Sequence, residues 1–240
     1  RLVAKYPGND WSSRAQFSIA AVLEEKLGKL EEALEEYRKV TWGSYAAPAQ
    51  QAVARLTAKT LWIATERVFR SDETPKIKLV TRNLERVTVR AYKVDLETYF
   101  RKMHLARGVE NLDITLIDSD KTFEFAIPNY VKHQEQQSEI EVPLPGDQRS
   151  GVMAVTVSSK TLEATTLVVQ SDLDVIVKSS RNEVFVFAEN MLTGKPWPAV
   201  RLLVSNGKQV FAEGTTGADG VFQKAYKELA DAGDVRVFAV

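Results

Sequence analysis

Near residue 60 the spacing of apolar residues changes from a helical repeat of about 3.6 to strict alternation, and this change restricts the fold more than any other feature. Before it, WSSRAQFSIAAVLEEKLG (11–28) carries Ala15, Ile19, Val22, Leu23 and Leu27 near helical spacing, with Ser12 or Ser13 placed as an N-cap and Gly28 as a stop. LEEALEEYRKV sets Leu30, Ala33, Leu34, Tyr37 and Val40 on one face of a second helix, and Ala20 and Ala21 leave room for it to approach the first. PAQQAVARLTAKTL predicts a third helix with Pro48 in its first turn. After the change, segments 76–83, 87–94, 112–118, 121–127, 139–145, 152–159 and 163–170 predict strands. Ile140, Val142 and Leu144 point one way and Glu139 and Glu141 the other; Met153, Val155 and Val157 alternate with Ala154, Thr156 and Ser158. DLETYFRKMH (95–104) interrupts the strands as a helix capped by Asp95, its Leu96, Tyr99, Phe100 and Met103 expected to pack on the sheet.

From Ser171 a second β-module begins with DLDVIVKSS and EVFVFAEN. VRLLVSNGKQVFAEG reads as a hairpin in which Asn206 and Gly207 supply the two positive-φ positions of a type I′ turn. Asp219-Gly220 marks the next turn and VFQKAY a further strand, which leaves too few strands to close a sandwich. Between helices and strands, LWIATERVF (61–69) is apolar, unlike a flexible linker, and is expected to pack on the first sandwich. The fold class is therefore mainly β with an N-terminal α part, in three pieces: 1–60 helical, 61–170 an antiparallel sandwich with the inserted helix 95–104, and 171–240 a second sandwich truncated at its C-terminal end.

No stretch carries the pattern of an active site. TGKP (193–196) lacks both the spacing of a phosphate loop and the helix that must follow it; it reads as a tight loop whose Pro196 and Pro198 stop further pairing. Ser205-Asn-Gly-Lys208 matches S-x-x-K in letters, but a hairpin turn is not the helix start which that motif needs. GTTGADG (214–220) is explained by turn glycines. Asp118-Ser-Asp120 opens like a calcium loop and fails where Phe123 stands for the required glycine. His104 and His133 have no ligand partners at metal spacing, and Asp172 with Asp174 reads as a pair of solvated charges on an edge strand. The glutamates 24, 25, 31, 32, 35 and 36 read as a solvated helix surface. Catalytic, cofactor and metal residues are thus expected to be none, no cofactor is expected, and the chain is not expected to be an enzyme.

Charge and cysteine count narrow the partners. Lys+Arg and Asp+Glu are both 32, a balance that gives no basic footprint for nucleic acid and no polybasic patch for a membrane surface. With no cysteine there is no disulfide and no thiol chemistry within these residues. The longest apolar runs, such as IAAVL (19–23), fall far short of the ~20 residues of a membrane span. Starting at Arg1 and ending in VRVFAV, the sequence reads as a piece of a larger polypeptide.

Several stretches carry a resemblance. Thr193-Gly-Lys-Pro196, Val200 to Val204, Asn206-Gly-Lys208, Ala212 to Thr216 and Asp219-Gly-Val-Phe222 resemble the β-module of bacterial alpha-2-macroglobulin-like proteins. Tyr92 to Phe100 resembles that family's Y-x-V-D-L-x-x-Y-F element, a strand running into a short helix; Thr81-Arg-Asn-Leu84, Glu163 to Thr166 and Ser171-Asp-Leu-Asp174 also resemble it. The helical pair Gly28, Leu30, Ala33 and Tyr37 is similar to a tetratricopeptide unit, of which a stable array needs about three. The resemblance implies macroglobulin-like (immunoglobulin/fibronectin-type) sandwiches in a periplasmic, cell-surface or secreted protease trap, in which a bait segment is cut and the sandwiches rearrange around the protease. It implies proteases as partners through regions outside these residues, and neighbouring macroglobulin-like domains as contacts. The internal Cys-x-x-Gln thioester of many members cannot lie within a chain that has no cysteine. Two other readings stand beside the trap scaffold: a helical-repeat plus sandwich binding or adhesion module of the cell envelope, and accessory sandwiches of an enzyme whose catalytic domain lies elsewhere.

Overall fold

The computed structural model describes residues 2–103, 118–144, 150–230 and 234–240. Four helices come first: α1 (Leu2–Lys5), α2 (Asp10–Glu25), α3 (Leu30–Arg38) and α4 (Ala46–Thr57). The cap of α2 is Asn9, not Ser12 or Ser13: the Asn9 side chain accepts from the Trp11 N–H at 2.8 Å. Both serines lie inside the first turn and turn their hydroxyls back onto the carbonyls of Asn9 and Asp10. The helical core gathers Ala20, Ala33, Leu34, Tyr37, Val40, Ala49, Ala52 and Leu56. Ala20 admits α3, as expected, and Phe17 places its ring 5.2 Å from those of Tyr37 and Tyr45. Of the expected stripe on α2, Leu23 packs against this core, but most of the rest does not. Ile19, Val22 and Leu27 are exposed, and Ser12, Ser13, Gln16 and Ala20 face the other helices. Bonds from Gln16 to Glu36 and from Trp42 to Ser12 and Asn9 explain how a polar face can be buried there.

The first sandwich packs two antiparallel sheets. One has the order β1-β2-β5, from Thr60–Ala64, Lys76–Arg82 and Glu135–Glu141; the other β4-β3-β6-β7, from Lys121–Ala126, Arg86–Lys93, Gly151–Ser158 and Glu163–Gln170. Inward residues alternate along each strand, so Ile77 and Leu79 meet Val87, Val89, Met153, Val155, Val157 and Val168 in one core. The apolar join is strand β1 and the chain after it, which crosses to the second sheet: Phe69 forms a parallel bridge with Gln170. Strand β5 lies four residues earlier at its start than the alternation suggested, 135 against 139. Val142 and Leu144 are still buried, because the Val142 N–H bonds to Pro75 O after regular pairing has stopped. Of the expected strand 112–118, residues 112–117 lie outside the described residues, and Asp118 is not in a strand.

The second sandwich repeats this plan. Its strands are β8 (Leu173–Ser179), β9 (Glu183–Asn190), the two-residue β10 (Lys195–Pro196), β11 (Arg201–Ser205), β12 (Val210–Thr215), β13 (Val221–Ala225) and β14 (Arg236–Ala239). Setting β10 aside, β8-β9-β13 matches β1-β2-β5, and β12-β11-β14 matches β4-β3-β6. The outer edge of β14 is thus the position that β7 fills in the first sandwich. Val184, Val186, Leu202, Val204, Phe222 and Leu229 make the core. The hairpin turn between β11 and β12 is not type I′. Only Gly207 has positive φ, and the loop runs over four residues, with the Asn206 side chain accepting from the N–H groups of Lys208 and Gln209.

Candidate functional site at the joints between units

The residues singled out by motif prove to be turn and joint residues. In TGKP, Gly194 takes φ 63° and closes a turn on Asn190; Lys195 and Pro196 then pair with Asn190 and Glu189, so Pro196 lies within a short strand and does not end pairing. Ser205 accepts from the Gly207 N–H, and Lys208 is exposed at the hairpin tip. Asp219 caps the turn in which Gly220 has φ 73°. Asp120 accepts from the Lys93 N–H. His104 lies outside the described residues. Among the described residues no group of three or more His, Asp or Glu side chains could hold a metal ion, and no helix is long and apolar enough to cross a membrane.

Three polar clusters join the units, and their members come from far apart in the chain. At the first, the C-terminal end of α4 docks on the sandwich. Asn83, at φ 56°, donates from Nδ2 to Leu56 O at 2.8 Å and Ala58 O at 2.9 Å, and its Oδ1 accepts from the His133 N–H at 2.8 Å. His133, at φ 66° and buried, directs Nδ1–H to Leu56 O at 2.9 Å. A carbonyl only accepts, which assigns that proton to Nδ1. Helix carbonyls without partners in their own helix are satisfied here by two side chains of the sandwich. Arg82 adds a bond to Arg55 O.

The second cluster holds the crossing from β7 to β8. Gln170 is buried and donates to Arg70 O at 2.9 Å and Glu73 O at 2.7 Å. Arg70 donates to Ser171 O at 3.0 Å, and the Ser71 N–H and hydroxyl both donate to Asp172. Asp172 is therefore a clamp on the linker, not a free edge charge; Asp174, two residues on, is exposed. The loop that supplies these groups is itself braced: Arg67 grips both oxygens of Glu73 at 2.7 and 2.8 Å, and with the Arg70 N–H this holds the Glu73 carboxyl down at about 2.

The third cluster is built on α5 (Leu96–Met103), the helix inserted between β3 and β4. Asp95 caps it, accepting from the Thr98 N–H and hydroxyl, which lowers its own pKa. Of the expected packing stripe, Phe100 is buried and Met103 is exposed. Phe100 stacks on Phe238 of β14, with centroids 5.1 Å apart, so the helix joins its own sandwich to the next one. Phe238 and Glu213 flank Leu203 in the cross-strand register, which places all three on the outward face of that sheet, where Leu203 is fully buried. An ionic rim surrounds this apolar centre. Arg101 bonds Glu97 one turn back at 3.0 Å and Glu213 at 2.8 Å; Arg201 pairs with the other oxygen of Glu97. The Arg101 guanidinium holds the Glu213 carboxyl below the usual range. Between this rim and the linker clamp is a crevice of about 650 Å³, lined by Leu96, Val152, Val169, Trp197, Phe238 and Val240.

Little in the sequence pointed to these joints. Asn83 sits where a turn residue is expected between two strands. Nothing local marks His133, whose ring partner is 77 positions away, and the local pair of Arg101 with Glu97 gives no sign of Glu213, 112 positions away.

The arrangement defines a class: helices leading into tandem macroglobulin-like sandwiches of one strand order. More particularly, the fold is that of the N-terminal domains of bacterial alpha-2-macroglobulin. The structure of the Escherichia coli protein spanning domains NIE-MG1 aligns over 77% of this chain and 98% of that chain, with TM-score 0.54 and 16% identity. The span MG0-NIE-MG1 of the same protein aligns over 75% of this chain and 64% of that chain, with TM-score 0.52 and 16% identity. The Salmonella alpha-2-macroglobulin reacted with methylamine aligns over 75% of this chain and 11% of that chain, with TM-score 0.54 and 16% identity. At such identities the likeness is one of fold. No family model matches the sequence, and no curated protein matches it.

Proposed function

We propose that this chain is a structural scaffold of an alpha-2-macroglobulin-like broad-spectrum endopeptidase inhibitor, acting outside the cytoplasm, and that it is not itself an enzyme. The observation that supports this is the alignment over 77% of the chain with the NIE-MG1 span, in which the matching feature is architecture and not a reactive group. We take its units to be the helical segment 1–60, similar to a tetratricopeptide pair, the sandwich 61–170 and the second sandwich 171–240. Any thioester belongs to another region, since these residues hold no cysteine, and we place the bait outside them as well. The helical-repeat binding or adhesion module is the second reading, favoured by the apolar side chains Trp11, Ile19 and Val22 that α2 leaves exposed.

The two readings separate in a trapping assay on the complete polypeptide. A cage hides a protease from large substrates and leaves it open to small ones. After mixing with an endopeptidase, cleavage of a folded protein substrate is expected to fall while cleavage of a short chromogenic peptide persists. The 240-residue chain alone is expected to do neither. Undiminished cleavage of both substrates by the protease–polypeptide mixture would sink the trap reading.

A further inference from the structure

Among the described residues the two sandwiches meet at the linker and at α5, with a crevice between these contacts. On one side the chain passes through Ser171 and Asp172, held by Arg70 and Ser71. On the other, α5 meets the second sandwich through the Phe100–Phe238 stack and the ion pairs of Glu97, Arg101, Arg201 and Glu213. The intervening crevice of about 650 Å³ has mainly apolar walls among the described residues, with Ser71, Gln170 and Asp172 at the clamp end. Close-packed interiors leave few voids even the size of a water molecule. The sandwiches therefore do not share a core, and their relative orientation depends on the two contacts at the ends.

These contacts differ in kind. The linker clamp is covalent chain reinforced by backbone and side-chain hydrogen bonds, all close to the axis where the chain crosses. The contact at α5 has a small apolar centre, and every member of its rim is solvent-accessible: side-chain exposure is 25% for Glu97, 38% for Arg101, 44% for Arg201 and 48% for Glu213. Exposed ion pairs are weak and are screened by salt. Glu97 and Arg101 each serve two partners, so losing either one breaks two links together.

We propose that α5 is an electrostatic latch: it holds the second sandwich against the first, and its release lets the second sandwich swing about Ser171–Asp172 and opens the apolar crevice. The inference concerns the joint itself and does not depend on the protease-trap reading. A latch on a hinge is a two-position element, and any charged surface that competes for Arg101 or Glu213 biases it.

The absence of cysteine makes the test direct. Thr161→Cys on the first sandwich and Lys208→Cys at the β11–β12 hairpin, both exposed, take nitroxide labels, and pulsed electron-spin resonance reads the distance distribution between them. With the latch native at low salt, one narrow distribution is expected. Arg101→Gln with Arg201→Gln is expected to broaden it or add a second distance, and molar salt is expected to move the native chain the same way. Inverting the whole rim (Glu97→Arg, Arg101→Glu, Arg201→Glu, Glu213→Arg) is expected to restore the narrow distribution, which a merely misfolded variant cannot do. A distribution that is the same in native and double-Gln chains overturns the proposal. So does a native distribution that is already broad at low salt, or a broadening that the inverted rim does not repair.

Discussion

Replacing Asn83 tests whether the helical unit is held by the cap at its last turn. Its side chain makes three bonds, of which those to Leu56 O and the His133 N–H are partly buried and that to Ala58 O is exposed. Water replaces the exposed one readily; the two partly buried ones contribute about 1 kcal/mol each. Asn83 also sits at φ 56°, where a non-glycine residue that lacks asparagine's tolerance is strained by about 1–2 kcal/mol. Of the three bonds, that to Leu56 O is the partly buried one that crosses the joint, so Asn83→Ala is expected to weaken the docking of α4 by about 1 kcal/mol, while the His133 bond and the turn conformation stay within the sandwich whether or not α4 is docked. Asn83→Gly loses the same bond and avoids the strain in the β2–β3 turn, so the two variants are expected to free α4 equally and to differ in the stability of the sandwich itself, where strain of about 1–2 kcal/mol in the alanine variant stands against about 0.5–1 kcal/mol of unfolded-chain entropy in the glycine variant. At about 1.4 kcal/mol per factor of ten, the population with α4 detached rises ~5-fold in either variant. The assay is limited trypsin digestion at Lys59, which is exposed and lies between α4 and β1. When reclosing outpaces cleavage, the cutting rate follows the open population. Native-like circular dichroism of both variants sets aside global unfolding. Equal cutting of native and variant chains would refute the cap. A lower melting temperature for the glycine variant than for the alanine variant would refute the part assigned to strain.

Two further outcomes are expected. A Cβ on Gly214 would lie 2.3 Å from Cε2 of the core ring Phe222, so Gly214→Ala is expected to destabilise the second sandwich by about 1–3 kcal/mol in calorimetry, with Phe222→Leu in the same chain recovering part of the loss. Glu73, whose folded pKa is about 2 against 4.5 unperturbed, contributes stability that is fully present above pH 4.5 and lost as pH falls from 4.5 toward 2, because the unfolded chain takes up the proton first; the fall in melting temperature across that window is expected to shrink in Glu73→Gln, and an identical fall in both chains would remove Glu73 as its source.

Local pattern exposed the elements and hid the joints, and the physical reason is distance along the chain. Alternation found β6 and β7 to within a residue because the large apolar residues of the core face recur at every second position, although β6 also buries Ala154, Thr156 and Ser158 on its other face. On α2 the same reasoning chose the wrong face. That helix carries apolar residues on two faces, and periodicity cannot say which one meets α3 when the buried face is made of Ser12, Ser13, Gln16 and Ala20. The type I′ turn failed for a related reason: Asn206 uses its side chain to hold the loop and does not adopt positive φ. Phe100 was legible as a buried residue, but its partner Phe238 is on another sandwich. Only the folded chain brings them together.

Three of the stretches that carried the family resemblance fall at these same joints. Thr81 to Leu84 contains Asn83, which caps α4. Tyr92 to Phe100 contains Asp95, which starts α5, and Glu97 and Phe100, which reach the second sandwich. Ser171 to Asp174 contains Asp172, which clamps the linker. A sandwich core accepts many apolar combinations of similar volume, so strands alone would leave little to recognise. A joint is less forgiving, because a bond from Asn83 to a helix end, or from Asp172 to Ser71, needs one side chain of one length at one backbone angle. Recognisable residues without a reactive group among them are what a chain would carry if its task were to set the angles between units, and that is the task the proposed scaffold requires.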